Sequence, residues 1–281
     1  MHIQFAQIDW RGRPTRVEYA WVGAPPGAPL MVFLHEGLGS LLMWKDFPAR
    51  LCEALGCRGL VYSRPGYGGS TPREPGQAWT PDFMHQQAFE VLPAFFQAVG
   101  VDAPRERPWL FGHSDGGSIS LLYASRHAHA VSGLVVLAPH IKVEDQSIRS
   151  IAQARDAYLQ TDLRQRLARY HDDPDSAFWG WNDIWLDPGF RSWSIEADLA
   201  AIQAPVLAVQ GLQDEYGTLE QIRGIARRVS QTELLELPDC GHSAHKDQPA
   251  AVLRAVQRFF QTHCAGQDAA RAQPFSQTLS F

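Results

Sequence analysis

A series of short apolar runs, each about one strand long and each followed by a helix-length segment, constrains this chain more than any other feature. The runs are Leu30-Met31-Val32-Phe33-Leu34, Arg58–Tyr62, Trp109-Leu110-Phe111, Gly133–Ala138, Pro205–Gln210 and Thr232–Leu237. Their apolar residues do not alternate with polar ones, so both faces of most of these strands must be covered. Strands alternating with helices give an α/β chain with a mostly parallel sheet and helices on both faces. Residues 2–9 and 15–22 do alternate, around Arg11-Gly12-Arg13-Pro14, which predicts an antiparallel hairpin at a sheet edge. Helices are expected from about Trp44 to Leu55, over 82–100, near Leu219–Arg228 and over 249–262. Between about 140 and 200 strand signals vanish. Helical periodicity over 144–171 is followed there by Phe178-Trp179-Gly180-Trp181-Asn182-Asp183-Ile184-Trp185. The tail after Cys264 shows no periodicity.

In open parallel sheets, sites form at the carboxyl ends of the strands. The unusual loops of this chain all follow strands. The sharpest is Gly112-His113-Ser114-Asp115-Gly116, which fits G-x-S-x-G between an apolar run and a helical pattern (Ile119, Leu122, Tyr123). A serine on a tight strand-to-helix turn needs small residues two positions to either side, and glycine supplies them. The helix starting at Asp115 also points unpaired N–H groups and a partial positive charge at that place.

Such a serine needs a base, an acid and oxyanion donors. His242, in Gly241-His242-Ser243 after the last strand, is the expected base, with His245 the nearby rival. Asp214, in Gln210-Gly211-Leu212-Gln213-Asp214, is the expected orienting acid. Its rivals are Glu215, Asp145 and Glu144, and its bland role is a helix N-cap. The order Ser114, Asp214, His242 suits this architecture. The oxyanion donors are the amide of Asp115 and one from the loop after Leu30–Leu34, with Gly37 preferred over its neighbour Glu36.

Taken together, His35-Glu36-Gly37, Ser63-Arg64-Pro65-Gly66-Tyr67-Gly68-Gly69-Ser70, Gly112–Gly117, Gly211-Leu212-Gln213-Asp214 and Gly241-His242 resemble the α/β-hydrolase fold superfamily over about residues 15–262. The resemblance implies an eight-stranded core at 1–139 and 201–263, a helical cap inserted at 140–200 after the sixth strand, and a tail at 264–281. Two places depart from the family pattern. Glu36 stands where His-Gly is usual, and Asp115 stands where an apolar residue often follows the serine. Either the two carboxylates border the pocket and suit a cationic substrate such as an amino-acid ester, or Asp115 sits at a helix N-terminus and Glu36 pairs with Arg64 or another cation. Arg64 and Tyr67 either brace their loop or bind a substrate carboxylate. Among Phe178, Trp179, Trp181, Trp185 and Trp193, at least two form the cap's own core. One or two of Trp179, Trp181 and Trp185 are expected to line the substrate pocket with Glu36.

The favoured function is a serine hydrolase of a small carboxylic ester. The alternatives are a C–C bond hydrolase or lyase on the same residues, acting on a ring-fission-type or pyruvate-eliminating substrate, and a non-enzymatic ligand-binding protein. No cofactor and no metal is called for. A net charge of −5 gives no reason to expect nucleic acid or an anionic membrane as partner. The start Met-His-Ile-Gln-Phe is not a secretory signal, and no apolar stretch approaches about 20 residues. Cys52, Cys57, Cys240 and Cys264 lack C-x-x-C spacing, so free thiols and a cytoplasmic location are expected, with a functional thiol at Cys240, two residues before His242, as the alternative there. Oligomeric state is not legible.

Overall fold

A computed structural model describes the backbone of residues 1–271 and the side chains of residues 1–264. Eight strands form one sheet: β1 (Gln4–Trp10), β2 (Arg13–Gly23), β3 (Leu30–Leu34), β4 (Arg58–Tyr62), β5 (Trp109–His113), β6 (Gly133–Leu137), β7 (Val206–Gly211) and β8 (Thr232–Leu237). Their spatial order is β1-β2-β4-β3-β5-β6-β7-β8. The first two form the expected edge hairpin, antiparallel to each other; β2 also pairs antiparallel with β4, and every later pairing is parallel.

The apolar runs are continuous because successive side chains serve opposite layers. On β3, Leu30, Val32 and Leu34 join one buried cluster, while Met31 and Phe33 join the other. The first layer is closed by a helical run over 83–98 and by helices Asp115–Arg126 and Glu220–Ala226. The second is closed by Phe47–Leu55 and the long helix Pro249–Arg271, through Leu51, Val252, Val256 and Phe259.

The boundaries differ from the sequence reading in three places. The segment expected to be one helix from Trp44 starts as a 3₁₀ turn at Leu41–Trp44 and resumes at Phe47, with Pro48 at its first turn, where a missing N–H costs nothing. The run over 83–98 contains a π-turn at Gln87–Val91 just before Pro93, whose ring and missing N–H disturb a regular ladder. The last helix runs past 262 to Arg271, into the expected tail; residues 272–281 lie outside the described ones.

Between β6 and β7 the chain is mostly helical, as the loss of strand signals predicts, apart from connecting loops and one isolated bridge between Lys142 and Ser194. The main helices are Asp145–Gln160, Leu163–Leu167 and Pro174–Leu186. Asp173 caps the last of these by accepting from the Ser176 N–H at 2.8 Å, with Pro174 in the first turn. Tyr158 stacks on Phe178 with ring centres 3.7 Å apart, and Phe190 stacks on Trp193. This segment therefore has an aromatic core of its own.

Candidate active site

Ser114 occupies the turn between β5 and the helix Asp115–Arg126 with φ 53° and ψ −120°. A left-handed backbone at a non-glycine residue costs about 1–3 kcal/mol and persists only where its surroundings impose it. Here the flanking glycines do so. A Cβ on Gly112 would lie 2.3 Å from the Gly116 carbonyl oxygen, and one on Gly116 would lie 2.0 Å from that of Leu34. Helix and sheet thus touch backbone to backbone. Asp115 is the first residue of its helix, so its amide has no partner within the helix.

His242 sits in the loop after β8. Its Nδ1 donates to Asp214 Oδ1 at 2.9 Å. Asp214 Oδ1 also accepts from the Tyr216 N–H at 2.9 Å, and its Oδ2 accepts from Gln210 Nε2 at 3.1 Å. Burial alone would raise the Asp214 carboxyl, but the charge and hydrogen bond of His242 and the Tyr216 amide outweigh it and hold it below its ordinary value. Burial would likewise lower His242, and the Asp214 carboxylate overrides it and raises the imidazole above 6.5. The His242 main chain is held on both sides: its N–H donates to Glu215 Oε2 at 3.2 Å, and its C=O accepts from His113 Nε2 at 2.9 Å.

Ser114, His242, Gly37 and Glu36 line one cavity of about 250 Å³, closed by Trp181, Trp185, Ile151, Tyr216 and His140. Among the described residues no hydrogen bond joins Ser114 to His242; such contacts commonly tighten only when substrate binds. The loop carrying Gly37 is pinned from above, because a Cβ there would lie 2.2 Å from Trp181 Nε1. A separate cleft of about 300 Å³ beside Trp10, Arg13 and Trp79 shares none of these residues.

Of the rivals, Glu215 lines the cavity but takes the His242 N–H and not its ring, and the others lie elsewhere. Glu144 accepts from the N–H and hydroxyl of Thr218, and Asp145 pairs with Arg191. His245 packs among Trp44, Phe47 and His113 and lies behind the cavity wall. The Cys240 thiol is buried and pushed up to about 11, chiefly by that burial, so it stays protonated.

Asp115 does not border the cavity. Its fully buried carboxylate lies 3.6 Å from Arg64 Nη2. Arg64 is itself buried, donates to the Glu36 carbonyl at 2.9 Å and lies over the Tyr67 ring. It braces two loops and leaves no charge for a substrate carboxylate. The Glu36 carboxylate does reach the cavity, 3.5 Å from both His113 Nδ1 and Lys246 Nζ. Its cationic partner is therefore Lys246, while Arg64 takes only its carbonyl. The expectation that Trp179 lines the pocket needs correction. Trp181 and Trp185 are one helical turn apart and share the inner face, whereas Trp179 points outward against Tyr158 and beneath Arg155. His140 in the cavity wall, by contrast, was missed. Only its place just beyond a strand's carboxyl end could have signalled it.

Comparisons with known proteins agree with this architecture. The profile described as Alpha/beta hydrolase family matches residues 31–255, more than half of the chain. A 2-succinyl-6-hydroxy-2,4-cyclohexadiene-1-carboxylate synthase of Klebsiella pneumoniae is 27% identical over 253 residues, covering 82% of this chain and 93% of that protein. The protein of the same name from Salmonella agona is 24% identical, covering 84% and 95%. Among solved structures, a thermophilic esterase from Thermogutta terrifontis superposes with a TM-score of 0.70 at 17% identity, covering 92% of this chain and 99% of that one. The enol-lactonase from Burkholderia xenovorans does so with a TM-score of 0.70 at 22% identity, covering 91% and 99%. At such identities the superpositions speak for the fold alone, but the profile match together with the sheet order establishes that the chain belongs to the alpha/beta hydrolase family.

Proposed function

We propose that this chain is a serine hydrolase of a small carboxylic ester, acting through an acyl-enzyme on Ser114. Residues 140–200 serve as a cap over a core formed by 1–139 and 201–263. The observation that carries the reading is the 2.9 Å bond from His242 Nδ1 to Asp214, made in a cavity that also holds Ser114. With Nδ1 committed to Asp214, Nε2 is the nitrogen that takes the Ser114 proton as Oγ attacks the ester carbonyl. The carbonyl oxygen gathers negative charge, to which the amide N–H groups of Gly37 and Asp115 donate hydrogen bonds. His242 then returns its proton to the leaving alkoxide as the C–O bond breaks. Water deprotonated by His242 attacks the acyl-enzyme, the Ser114 Oγ–acyl bond breaks as His242 returns that proton to Oγ, and the acid leaves.

A second reading keeps the same residues for C–C cleavage or elimination, and the names of the Klebsiella and Salmonella relatives favour it. A product named as a succinyl cyclohexadiene carboxylate carries two carboxylates. The charged side chains lining this cavity are Glu36 and Glu215, and no lysine or arginine lines it. Lys246 offsets Glu36, but two substrate carboxylates would still meet Glu215 with no cation in the lining, which supports the ester reading over this one.

A fluorophosphonate probe is expected to label Ser114 stoichiometrically, Ser114→Ala is expected to abolish labelling, and short p-nitrophenyl esters are expected to turn over with an acyl-enzyme burst. Absence of both labelling and turnover defeats the ester reading. Release of an enolate-derived product without a burst selects the second.

A further inference from the structure

His140 lies just beyond the carboxyl end of β6 and has no part in the reaction described above. It is 3% exposed, yet it lines the cavity that holds Ser114 and His242. Its main chain is fixed from both sides by one side chain of the helix Asp115–Arg126: its N–H donates to Ser118 Oγ at 3.0 Å, and its C=O accepts from the same hydroxyl at 2.7 Å. Its ring meets Trp185 edge to face at 4.8 Å and stands 6.0 Å from the His242 ring. The position is therefore set by the element that also sets Ser114.

The backbone of His140 is satisfied and its ring is not. Nδ1 is buried without a hydrogen-bond partner, and among the described residues neither ring nitrogen makes a hydrogen bond. Buried polar groups are almost always paired, so an imidazole in a cavity wall with neither nitrogen hydrogen-bonded marks a place where a ligand atom belongs. An apolar residue would fill the same wall with no desolvation cost.

The charge state narrows the ligand. Burial, then the neighbouring His242, lowers His140 to about 3, so the ring is uncharged at neutral pH. A second cation there would also oppose protonation of His242 during attack. A neutral imidazole offers one N–H and one lone pair and holds no counter-charge for a carboxylate. Its partner is an uncharged oxygen, that of a hydroxyl.

We propose that His140 is a substrate-binding residue whose imidazole hydrogen-bonds a hydroxyl oxygen of the substrate, so that the preferred ester carries a hydroxyl near the scissile group. The inference rests on the hydrolase reading and names the substrate class for that site. The oxygen belongs either to the acyl group or to the leaving alcohol, and three esters separate these: ethyl phenylacetate, ethyl mandelate and 2-hydroxyethyl phenylacetate.

The readout is the kcat/KM of each hydroxylated ester relative to ethyl phenylacetate, followed by pH-stat in the unmodified protein, His140→Phe and His140→Gln. His140→Phe is expected to lower the ratio for one hydroxylated ester about tenfold or more. His140→Gln, which keeps a donor and an acceptor, is expected to retain most of that ratio. The ester whose ratio falls identifies the arm that carries the oxygen. A ratio that His140→Phe leaves intact, or an equal loss on all three esters, overturns the inference. If His140→Phe does not fold, the ratio is read on the smaller His140→Leu. Turnover without any preference for a hydroxylated ester sinks this inference alone, whereas no turnover and no Ser114 labelling sinks the hydrolase reading with it.

Discussion

The cavity has two walls built on different principles. The sheet-edge wall, carrying Ser114, Gly37, Asp214 and His242, is made of turns in which backbone meets backbone. A Cβ on Gly211 would lie 2.0 Å from the Cys240 carbonyl oxygen, as close as one on Gly116 would lie to that of Leu34. The helical wall from Pro174–Leu186 is made of side chains, chiefly Trp181 and Trp185, packed on Phe178 and Phe190. The first wall tolerates few residue types at fixed positions. The second needs only enough aromatic volume on one helical face. On the proposed reading, chemistry that requires sub-ångström placement sits on the first, and the shape of the ligand space belongs to the second.

The largest expected effect tests whether the sheet-edge wall acts as a unit. Asp214→Asn is expected to lower kcat about 10⁴-fold, because the amide no longer holds the His242 tautomer or stabilises its cation. The pH dependence carries the sign. In the unmodified protein kcat/KM is expected to rise as His242 loses its proton, at a pH above the ordinary imidazole range because Asp214 raises the imidazole against the effect of burial. Removing that charge moves the rising limb to lower pH. A rate profile whose limb does not move separates Asp214 from His242 and breaks the unit.

Next in size is Gly116→Ala. Helix propensity favours alanine by about 1 kcal/mol. The added methyl meets a fixed carbonyl oxygen at 2.0 Å, which costs more than that gain. Net destabilisation of about 2–3 kcal/mol is expected, read as a lower urea midpoint at unchanged slope. A neutral result means that helix and strand can part, and the contrast between the walls weakens.

This contrast also explains what could be read from the chain. Gly112, Gly116 and Gly211 are forced by close backbone approach, so the elbow and the Asp214 loop leave a fixed signature in the residue string. Continuous apolar strands give the layers and the parallel sheet for the same reason, since each side chain has only one of two faces to serve. The helical wall leaves a composition and no signature. Trp179, Trp181 and Trp185 look alike in sequence, and only the phase of the helix turns the first away from the cavity. The burial of Asp115 against Arg64 was equally hidden, because a residue at a helix start can point outward or back beneath the neighbouring loop. His140 is a single histidine after a strand, and its significance comes from a cavity that no local pattern records.

The smallest expected effect concerns the two tryptophans that sequence cannot tell apart. Trp181 covers the Gly37 loop and faces the cavity, so Trp181→Ala opens the acyl space and uncovers that loop. Trp179 is half-buried, touching Tyr158 at 5.5 Å between ring centres and lying beneath the Arg155 guanidinium, on the opposite side of the helix. The comparison is the kcat/KM of p-nitrophenyl phenylacetate relative to p-nitrophenyl acetate. An aryl acyl group buries more area against the wall than a methyl does, so loss of the wall falls mainly on the larger substrate. Trp181→Ala is expected to cut that ratio about tenfold, mostly through KM, because contact with a non-reacting group is kept from ground state to transition state. Trp179→Ala is expected to move it by less than about threefold and to cost about 1 kcal/mol of stability. Equal shifts from both would mean that the helical wall acts on substrate through its overall packing. The acyl space would then be set by the stability of the segment as a whole, with no single face responsible.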